Sequence, residues 1–339
     1  MLGDYYPAGD EFLAVYDITK KVIPEGGTPL NVGVAVFNVF TVTQIYHAVN
    51  GKPVTERIVT IAGEVKEPKV VSVPVGTPYS ELIKLAGGST LKEFAVLDGG
   101  PMMGKLVLDL GAGIAKTTNG IVVLPTDHFA VNMKSKTEGE TVKHSKVASD
   151  ESDRSTEFCP RNLLGHAIDP QLTLRATDYN MAEPSAHITS AFLCSGCGIC
   201  EVVTDSMTLS PKKIFGEYQR LLKIGGVKNP HQRSGFTVHS QFENRKISTP
   251  MLIKKLGMSL YSKPLLSEGK KEISLVKIPT QKHVGARANV TVEIGQAVRR
   301  GDVIARSPDD QMGSIYHASI HGKISEITEL FVEITGQHS

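Results

Sequence analysis

Four cysteines are the residues of this 339-residue chain that are best placed to do chemistry. Cys194, Cys197 and Cys200 lie within seven residues of one another, and Cys159 stands alone directly before a proline. A disulfide framework in a secreted chain of this length would usually contain more cysteines. Because thiolates are strong metal ligands, the crowding of three of them favours a metal ion or an iron–sulfur cluster over disulfide bonds.

The spacing of the crowded cysteines is typical of iron–sulfur sites. Thiolates separated by two residues can hold one corner of an iron–sulfur cube, and Gly196 and Gly198 permit a tight backbone between them. Bacterial ferredoxin motifs add a fourth Cys followed by Pro, which ligates the other cluster in two-cluster proteins. Cys159-Pro160 fits this fourth position. The four cysteines together therefore predict one [4Fe-4S] cluster that transfers one electron at a time.

A second ligand set has the ferredoxin spacing but not the ferredoxin chemistry. Its four positions, counted from Cys159 and Cys200, are Ser149, Ser152, Ser155 and Asp205. None of these residues carries a thiolate, so crossed ligation would leave the second site without a cluster.

Three alternatives to the cluster stay open. A structural zinc site also takes four cysteines, although its usual arrangement is two well-separated Cys-x-x-Cys pairs. A different ligand set would include Asp205 and leave Cys159 free, and inert buried thiols are the third alternative. Three flanking histidines could contact or ligate a bound group, although an ordinary surface or core position is more common for this residue. They are His144, His166 and His187.

A β-grasp unit is predicted on the N-terminal side of the cysteines. Alternating apolar residues at 58–63 and 69–73 indicate two paired strands. Thr77-Pro78 can cap and start a following helix, and Gly87-Gly88 can end it.

The cysteine region and the C-terminal region predict different folds. Ser210-Pro211 is a good N-cap and first-turn pair, and the apolar stripe between it and Gly225-Gly226 predicts a core helix. Residues 270–336 consist of short strands between glycine turns, in two similar halves, which predicts an all-β barrel-sandwich. The intervening loop at 308–313 has no lysine, so no swinging-arm carrier is predicted.

Composition and charge exclude several classes of function. A formal net charge of +2, without a long Lys/Arg run, argues against a nucleic-acid partner. The apolar stretch 32–49 is interrupted by polar residues and is expected to form buried strand and helix rather than a membrane span. The acidic start, with Asp4 and Asp10, does not fit a signal peptide, so a cytoplasmic location is expected. No Ser-His-Asp elbow, H-E-x-x-H motif or P-loop occurs.

With these motifs the chain resembles the cobalamin reductases of propanediol-utilisation microcompartments and, more distantly, the RnfC subunits of Rnf electron-transport complexes. The likeness runs over nearly all of the chain, and the cysteine motif is its most specific part. The segments that carry it are Tyr6-Pro-Ala-Gly-Asp-Glu11, Ile61-Ala-Gly-Glu-Val65, Gly99-Gly-Pro-Met-Met-Gly104, Cys159-Pro-Arg-Asn-Leu-Leu-Gly-His166, Cys194 to Cys200 with Leu209-Ser-Pro-Lys-Lys213, and the C-terminal barrel-sandwich.

The resemblance implies a modular electron carrier. Members of this family pass electrons from NADH through flavin mononucleotide (FMN) and two [4Fe-4S] clusters, and the reductase delivers them to corrinoid. This chain shows no Gly-rich flavin loop before Tyr5, and 99–104 does not match G-x-G-x-x-G. Phe37-Asn-Val-Phe-Thr41 stands where the family has Asn-Asn-Val-Glu-Thr. We therefore expect the flavin- and NADH-binding part, FMN and the second cluster to be lost, which leaves reductase activity of this chain alone undecided.

The resemblance also organises the chain as an α+β multidomain protein with a helical, ferredoxin-like cluster domain. The expected segments are 1–55, a remnant of a flavoprotein-like domain; 56–128, a β-grasp soluble-ligand-binding domain; 129–158, a polar linker; 159–268, the helical iron–sulfur domain; and 269–339, the barrel-sandwich domain.

Two classes of function follow from these features. The first is an electron relay with one cluster, working with a redox partner protein or flavoprotein and with a corrinoid or corrinoid-handling enzyme. The second is a non-catalytic binding or scaffold module in which the cluster, or zinc, is structural. A bacterial microcompartment is the specific cytoplasmic site that the resemblance implies.

Overall fold

A computed structural model describes residues 3–145, 153–178, 186–204, 209–262 and 265–336 of the chain. It contains helices and several separate sheets, which confirms the expected α+β class. In the ranges just given, no helix is both long enough and apolar enough to cross a bilayer.

The strands in chain order are β1 (Tyr5–Tyr6), β2 (Glu56–Gly63), β3 (Lys69–Pro74), β4 (Ala95–Asp98), β5 (Lys105–Val107), β6 (Gly120–Leu124), β7 (Ile247–Ser248), β8 (Leu266–Lys270), β9 (Leu275–Pro279), β10 (Asn289–Val290), β11 (Ala297–Val298), β12 (Val303–Arg306), β13 (Ile315–His317), β14 (Gly322–Ile327) and β15 (Phe331–Gly336). The helices are α1 (Glu11–Thr19), α2 (Val39–Val49), α3 (Tyr79–Leu85), α4 (Phe129–Ser135), α5 (Glu138–Ser145), α6 (Arg154–Glu157), α7 (Pro160–Leu163), α8 (Pro170–Asp178), α9 (Ala186–Thr189), α10 (Ile199–Val203), α11 (Pro211–Ile224) and α12 (Thr249–Lys255). Short 3₁₀ turns occur at Pro29–Val32, Ser190–Leu193 and Ser259–Tyr261.

The chain forms two compact units, and each is built from two separate stretches of sequence. The first unit combines the chain up to Val36 with Asn132–Ser262. The second combines Phe37–Val131 with the described chain from residue 265 onward. These units do not coincide with the five expected segments, whose boundaries stay a prediction.

The first unit is mainly helical, and α11 lies at its centre. Ser210 caps this helix, since its Oγ accepts a hydrogen bond from the Lys213 N–H at 3.4 Å, and Pro211 occupies the first turn. Phe215 and Leu222 are buried in a core that also includes Cys159. The predicted start and end of the helix are confirmed, although Leu221 of the expected apolar stripe is exposed.

The second unit contains a six-stranded mixed sheet in the order β5-β4-β6-β2-β3-β8. The predicted pair is confirmed, because β2 and β3 run antiparallel from Glu56 opposite Pro74 to Ile61 opposite Lys69. Strand β6 runs parallel to β2, and α3 packs on the sheet through Leu82. The sequence predicts Thr77 as the cap of α3, but Pro78 holds the N-cap position. The Thr77 hydroxyl instead donates a hydrogen bond to the Pro74 carbonyl at 2.7 Å.

The C-terminal part of the second unit consists of two small antiparallel sheets. Their orders are β10-β12-β13 and β11-β14-β15-β9. Inward-facing residues of both sheets share one core, in which Val276, Ile304, Ile324 and Val332 are almost completely buried. This all-β arrangement agrees with the fold that the short strands and glycine turns predict.

Residues 129–158 differ from the loose linker that their polar composition predicts. The described part of this segment contains α4, α5 and α6. Val131 and Met133 are buried, and so is the polar side chain of Thr141. A small number of apolar residues at helical spacing is enough to stabilise a short helix, because neighbouring helices supply the rest of the core.

Helix α2 differs from the buried segment that the apolar stretch at 32–49 predicts. The helix forms and begins at Asn38, whose side chain accepts a hydrogen bond from the Phe40 N–H at 2.9 Å. None of its residues is buried, and Val39 and Val49 are 80% and 83% exposed. The Asn38 cap therefore marks the start of α2, and the described core does not cover the helix.

Candidate iron–sulfur site

All four cysteines line one small cavity in the first unit. Cys159 is the N-cap residue of α7, and Cys194 directly follows the 3₁₀ turn at Ser190–Leu193. Cys200 lies in the first turn of α10, and Cys197 lies in the loop before it. The structure thus brings together the three crowded cysteines and the isolated one, which lies 35 positions before Cys194 in the sequence.

Two glycines shape the loop that holds the crowded cysteines. Gly196 has a φ of 69° and Gly198 a φ of 83°, in the left-handed region that favours glycine. Gly198 is also the N-cap residue of α10, so it turns the chain from the loop into the helix that carries Cys200. A side chain at either position would strain the turn on which the cysteine spacing depends.

Hydrogen bonds from outside the loop hold its backbone in place. The Tyr6 hydroxyl donates to the Cys197 carbonyl at 2.8 Å, and the Gln219 amide donates to the Cys194 carbonyl at 3.2 Å. Within the loop, the Gly196 N–H points at the Cys194 Sγ at 3.3 Å. An N–H group aimed at sulfur stabilises the thiolate form, and such bonds influence the potential of iron–sulfur centres.

Burial makes the four thiols weak acids in the absence of a bound cation. It raises the pKa of Cys159 and of Cys194 to about 12, and it raises the pKa of Cys197 and Cys200 as well. Negative charge on neighbouring cysteines adds to the effect at Cys159 and Cys200. Four thiolates are therefore stable in this cavity only with compensating positive charge, which the irons of a cluster would supply.

A buried arginine also lines this cavity. The Arg161 side chain is 7% exposed, donates to Asp10 Oδ2 at 3.1 Å and stacks 3.3 Å from the centre of the Phe12 ring. Its Nε and Nη1 have no hydrogen-bond partner among the described residues. Because a buried donor without a partner is costly, these N–H groups fit a site designed for an anionic group such as a thiolate-ligated cluster.

The described residues include no group of three or more His, Cys, Asp or Glu side chains placed to hold a metal ion. The four cysteines line a small cavity. A structural zinc site therefore stays an alternative to the cluster.

The second ligand set is largely outside the described residues, which exclude Ser149, Ser152 and Asp205. Ser155 is described, and its side chain is fully buried with no partner for Oγ in the described chain. The second set and the ligand set that includes Asp205 therefore both stay predictions.

The flanking histidines do not line the cysteine cavity where they are described. His166 is buried, its Nε2 lies 3.1 Å from the Ile23 carbonyl oxygen, and burial lowers its pKa to about 4. His187 is half-buried, and the side chain of His144 lies outside the described residues. His166 therefore occupies an ordinary core position, which the sequence analysis gives as more common than a ligand position.

Sequence reasoning missed Arg161 and its partners Asp10 and Phe12. Both Asp10 and Arg161 occur in segments that carry the family resemblance, but nothing in their spacing links them across 151 positions. The available signal was a charged residue, Arg161, two positions after Cys159.

Comparisons with known proteins agree with this organisation. Residues 58–106 match the SLBB domain, and residues 266–338 match the RnfC barrel sandwich hybrid domain. Cobalamin reductase PduS of Salmonella typhimurium is 34% identical over 341 aligned positions, covering 98% of this chain and 74% of the relative. Cobalamin reductase PduS of Citrobacter freundii is 35% identical with the same coverage. A component of the proton-translocating ferredoxin:NAD(+) oxidoreductase complex of Clostridium ljungdahlii is 38% identical over 121 positions, or 35% of this chain and 26% of the relative.

Proposed function

The chain belongs to the family of the cobalamin reductase PduS, and on that basis we propose that it is a one-electron relay with a single [4Fe-4S] cluster. A redox electron-transfer role is supported by the relatives, which are cobalamin reductases and components of electron-transferring complexes. The observation that supports a single [4Fe-4S] cluster is that Cys159, Cys194, Cys197 and Cys200 all line one cavity.

The residues of the cavity would divide the work of holding and tuning the cluster. The four cysteines would be its ligands, and the bound cluster would supply one-electron chemistry. Arg161 would offset its negative charge, and Phe215 and Ile168 would exclude water from one side. Tyr6 and Gln219 fix the backbone of the ligand loop, so the sulfurs would keep their positions in either oxidation state.

The partners in this proposal follow from the family and from the missing ligands. A second [4Fe-4S] cluster is not expected, since the four positions of the second set carry no thiolate. A redox partner protein or flavoprotein would then supply the electrons, and a corrinoid or corrinoid-handling enzyme would receive them, in the cytoplasm or in a microcompartment. The assignments of residues 56–128 as a β-grasp domain and of 159–268 as a ferredoxin-like domain belong to the same proposal.

The test is the iron and acid-labile sulfide content after anaerobic reconstitution. We expect about four of each per chain, and a sharp loss in Cys159→Ala. Ser155→Ala is the matched control, because it changes a buried residue of the second set and should leave the content unchanged. Zinc in place of iron, or no metal, would refute the cluster and favour the structural or scaffold module. Equal iron in the wild type and Cys159→Ala would refute the crossed ligand set.

A further inference from the structure

Lys116 is a half-buried lysine on a well-anchored turn of the second unit. The turn closes through a hydrogen bond from the Thr118 N–H to the Ala115 carbonyl at 3.2 Å, and the Ala115 N–H donates to Thr118 Oγ1 at 3.2 Å. Ile114 and Thr118, which lie on either side of the lysine in the sequence, are buried. The fold therefore gives the backbone of Lys116 a fixed position.

The Lys116 amine lies against strand β13 of the same unit. Its Nζ donates a hydrogen bond to the Ile315 carbonyl and lies 4.6 Å from the centre of the Tyr316 ring. In the described part of the chain, no carboxylate forms an ion pair with this amine. Burial therefore acts on the ammonium group without compensation, and it lowers the pKa of Lys116 to about 8.

A neutral Lys116 amine can keep its position on β13. The bond to the Ile315 carbonyl needs a single N–H group, which the neutral amine still has. At pH 7 an amine with a pKa of about 8 is roughly one-tenth neutral, whereas an unperturbed lysine amine is neutral in less than about one molecule in a thousand. The fold thus holds a nucleophilic nitrogen at a defined place.

His317, at the end of β13, is a base close to this amine. Burial lowers the pKa of His317, and the positive charge of Lys116 lowers it further, so the ring is neutral at pH 7. Its Nδ1 is buried and has no hydrogen-bond partner among the described residues. A neutral imidazole in this place is suited to accept the proton that an amine loses when it attacks a carbonyl group.

We propose that Lys116 is an acylation site that takes its acyl group from a thioester. The Nζ lone pair attacks the thioester carbonyl carbon and forms the C–N bond of an amide, while the C–S bond breaks. The proton that the amine loses passes to His317 and then to the departing thiolate, so the products are an amide and a thiol. An aldehyde fits less well, because imine formation needs an acid to expel water and His317 is neutral.

The test is acetylation of the full chain by S-acetyl-N-acetylcysteamine, a small thioester, with the initial rate at each lysine measured by peptide mass spectrometry. Lys92, an exposed lysine of the same unit, is the control. At pH 7 we expect Lys116 to be acetylated roughly tenfold faster than Lys92, since its larger neutral fraction outweighs the lower nucleophilicity of a weaker base. The rate at Lys116 should level off above about pH 8, where its amine is already neutral.

Two pairs of variants test the location of the site and the role of the histidine. Lys116→Arg keeps a cation and an N–H donor for the Ile315 carbonyl, so it should fold and lose the fast acetylation, whereas Lys92→Arg should keep it. His317→Gln should slow acetylation of Lys116 roughly tenfold, because it removes the proton acceptor. His321→Gln, at an exposed histidine of the same unit, should leave the rate unchanged. Circular dichroism verifies that all four variants fold.

Three results would overturn the proposal. The first is an equal rate of acetylation at Lys116 and Lys92 in the wild type. The second is a rate at Lys116 that keeps rising well above about pH 8, which would mean that the amine stays protonated in the fold. The third is an equal rate in His317→Gln and His321→Gln, which would mean that His317 does not take the proton.

Discussion

Arg161 is a buried cation that lines the cysteine cavity, which Lys212 also lines. It is held from two sides, by the Asp10 carboxylate and by the Phe12 ring, so its position is fixed before any group binds. Burial raises the pKa of Asp10, while Arg161 favours its charged form. The pair is therefore an anchored cation whose remaining N–H groups have no partner among the described residues.

Removing the charge of Arg161 should lower the reduction potential of the bound cluster. Reduction adds an electron, and a nearby cation stabilises the added charge, so Arg161→Gln should shift the potential by about −50 mV. A potentiometric titration followed by electron paramagnetic resonance measures this shift. Arg161→Lys keeps the charge and should restore most of the potential.

Two further variants separate the local charge from other effects. Arg175→Gln removes an exposed arginine of the same unit and should leave the potential unchanged. The double variant Arg161→Gln/Asp10→Asn removes both charges of the pair and should return the potential close to that of the wild type. A potential that does not move in Arg161→Gln would contradict a role for this residue in tuning.

At the scale of elements, α11 links the cysteine loop to the core of the first unit. Its cap residue Ser210 accepts a hydrogen bond from the Lys213 N–H and donates one to Glu201 Oε1. Glu201 lies on α10, directly after Cys200. One serine therefore stabilises the start of α11 and connects it to the helix that carries Cys200.

Replacing this serine should destabilise the first unit. Ser210→Ala removes a side-chain cap, which usually costs about 1 kcal/mol of the free energy of unfolding, and it also removes the bond to Glu201. Chemical denaturation followed by circular dichroism measures the change. Ser248→Ala is the control, because Ser248 holds the N-cap position of α12 without a side-chain hydrogen bond. Equal costs in the two variants would contradict the assigned role of the cap.

Elements with strong local signals were the predictable part of the fold. The Ser210-Pro211 start, the Gly225 end and the β2–β3 pair depend on neighbouring residues, and the sequence predicts them correctly. The burial of α2 was wrongly predicted, because apolar composition does not show whether another element covers a helix. The cap of α3 was also misassigned, since the Thr77 hydroxyl binds the preceding turn instead.

At the scale of the whole molecule, contacts between distant stretches were the unpredictable part. Spacing alone gathers the four cysteines, because ferredoxin motifs have a known pattern. No pattern links Asp10 to Arg161 or Lys69 to Glu268. Such pairs depend on how the two stretches of each unit fold together, which one sequence does not specify.

Cluster binding should protect the first unit from hydrogen exchange. A ligand that binds the folded state stabilises the elements that hold it. After the cluster is removed with a chelator, we expect faster amide exchange in α7, α10 and α11, and unchanged exchange in β2 and β3. Mass spectrometry of peptides measures both sets in one experiment. Exchange that changes equally in all five elements would contradict a site confined to the first unit.

The division of each unit between two stretches also determines when the protein can fold during synthesis. In the first unit, β1 has to wait for β7, since Tyr5 pairs with Ser248. In the second, β3 stays an open edge until β8 leaves the ribosome, because Lys69 pairs with Leu266. An unpaired β3 is an exposed strand edge of the kind that promotes aggregation. We therefore expect nascent chains of this protein to expose the β3 edge until β8 has been synthesised.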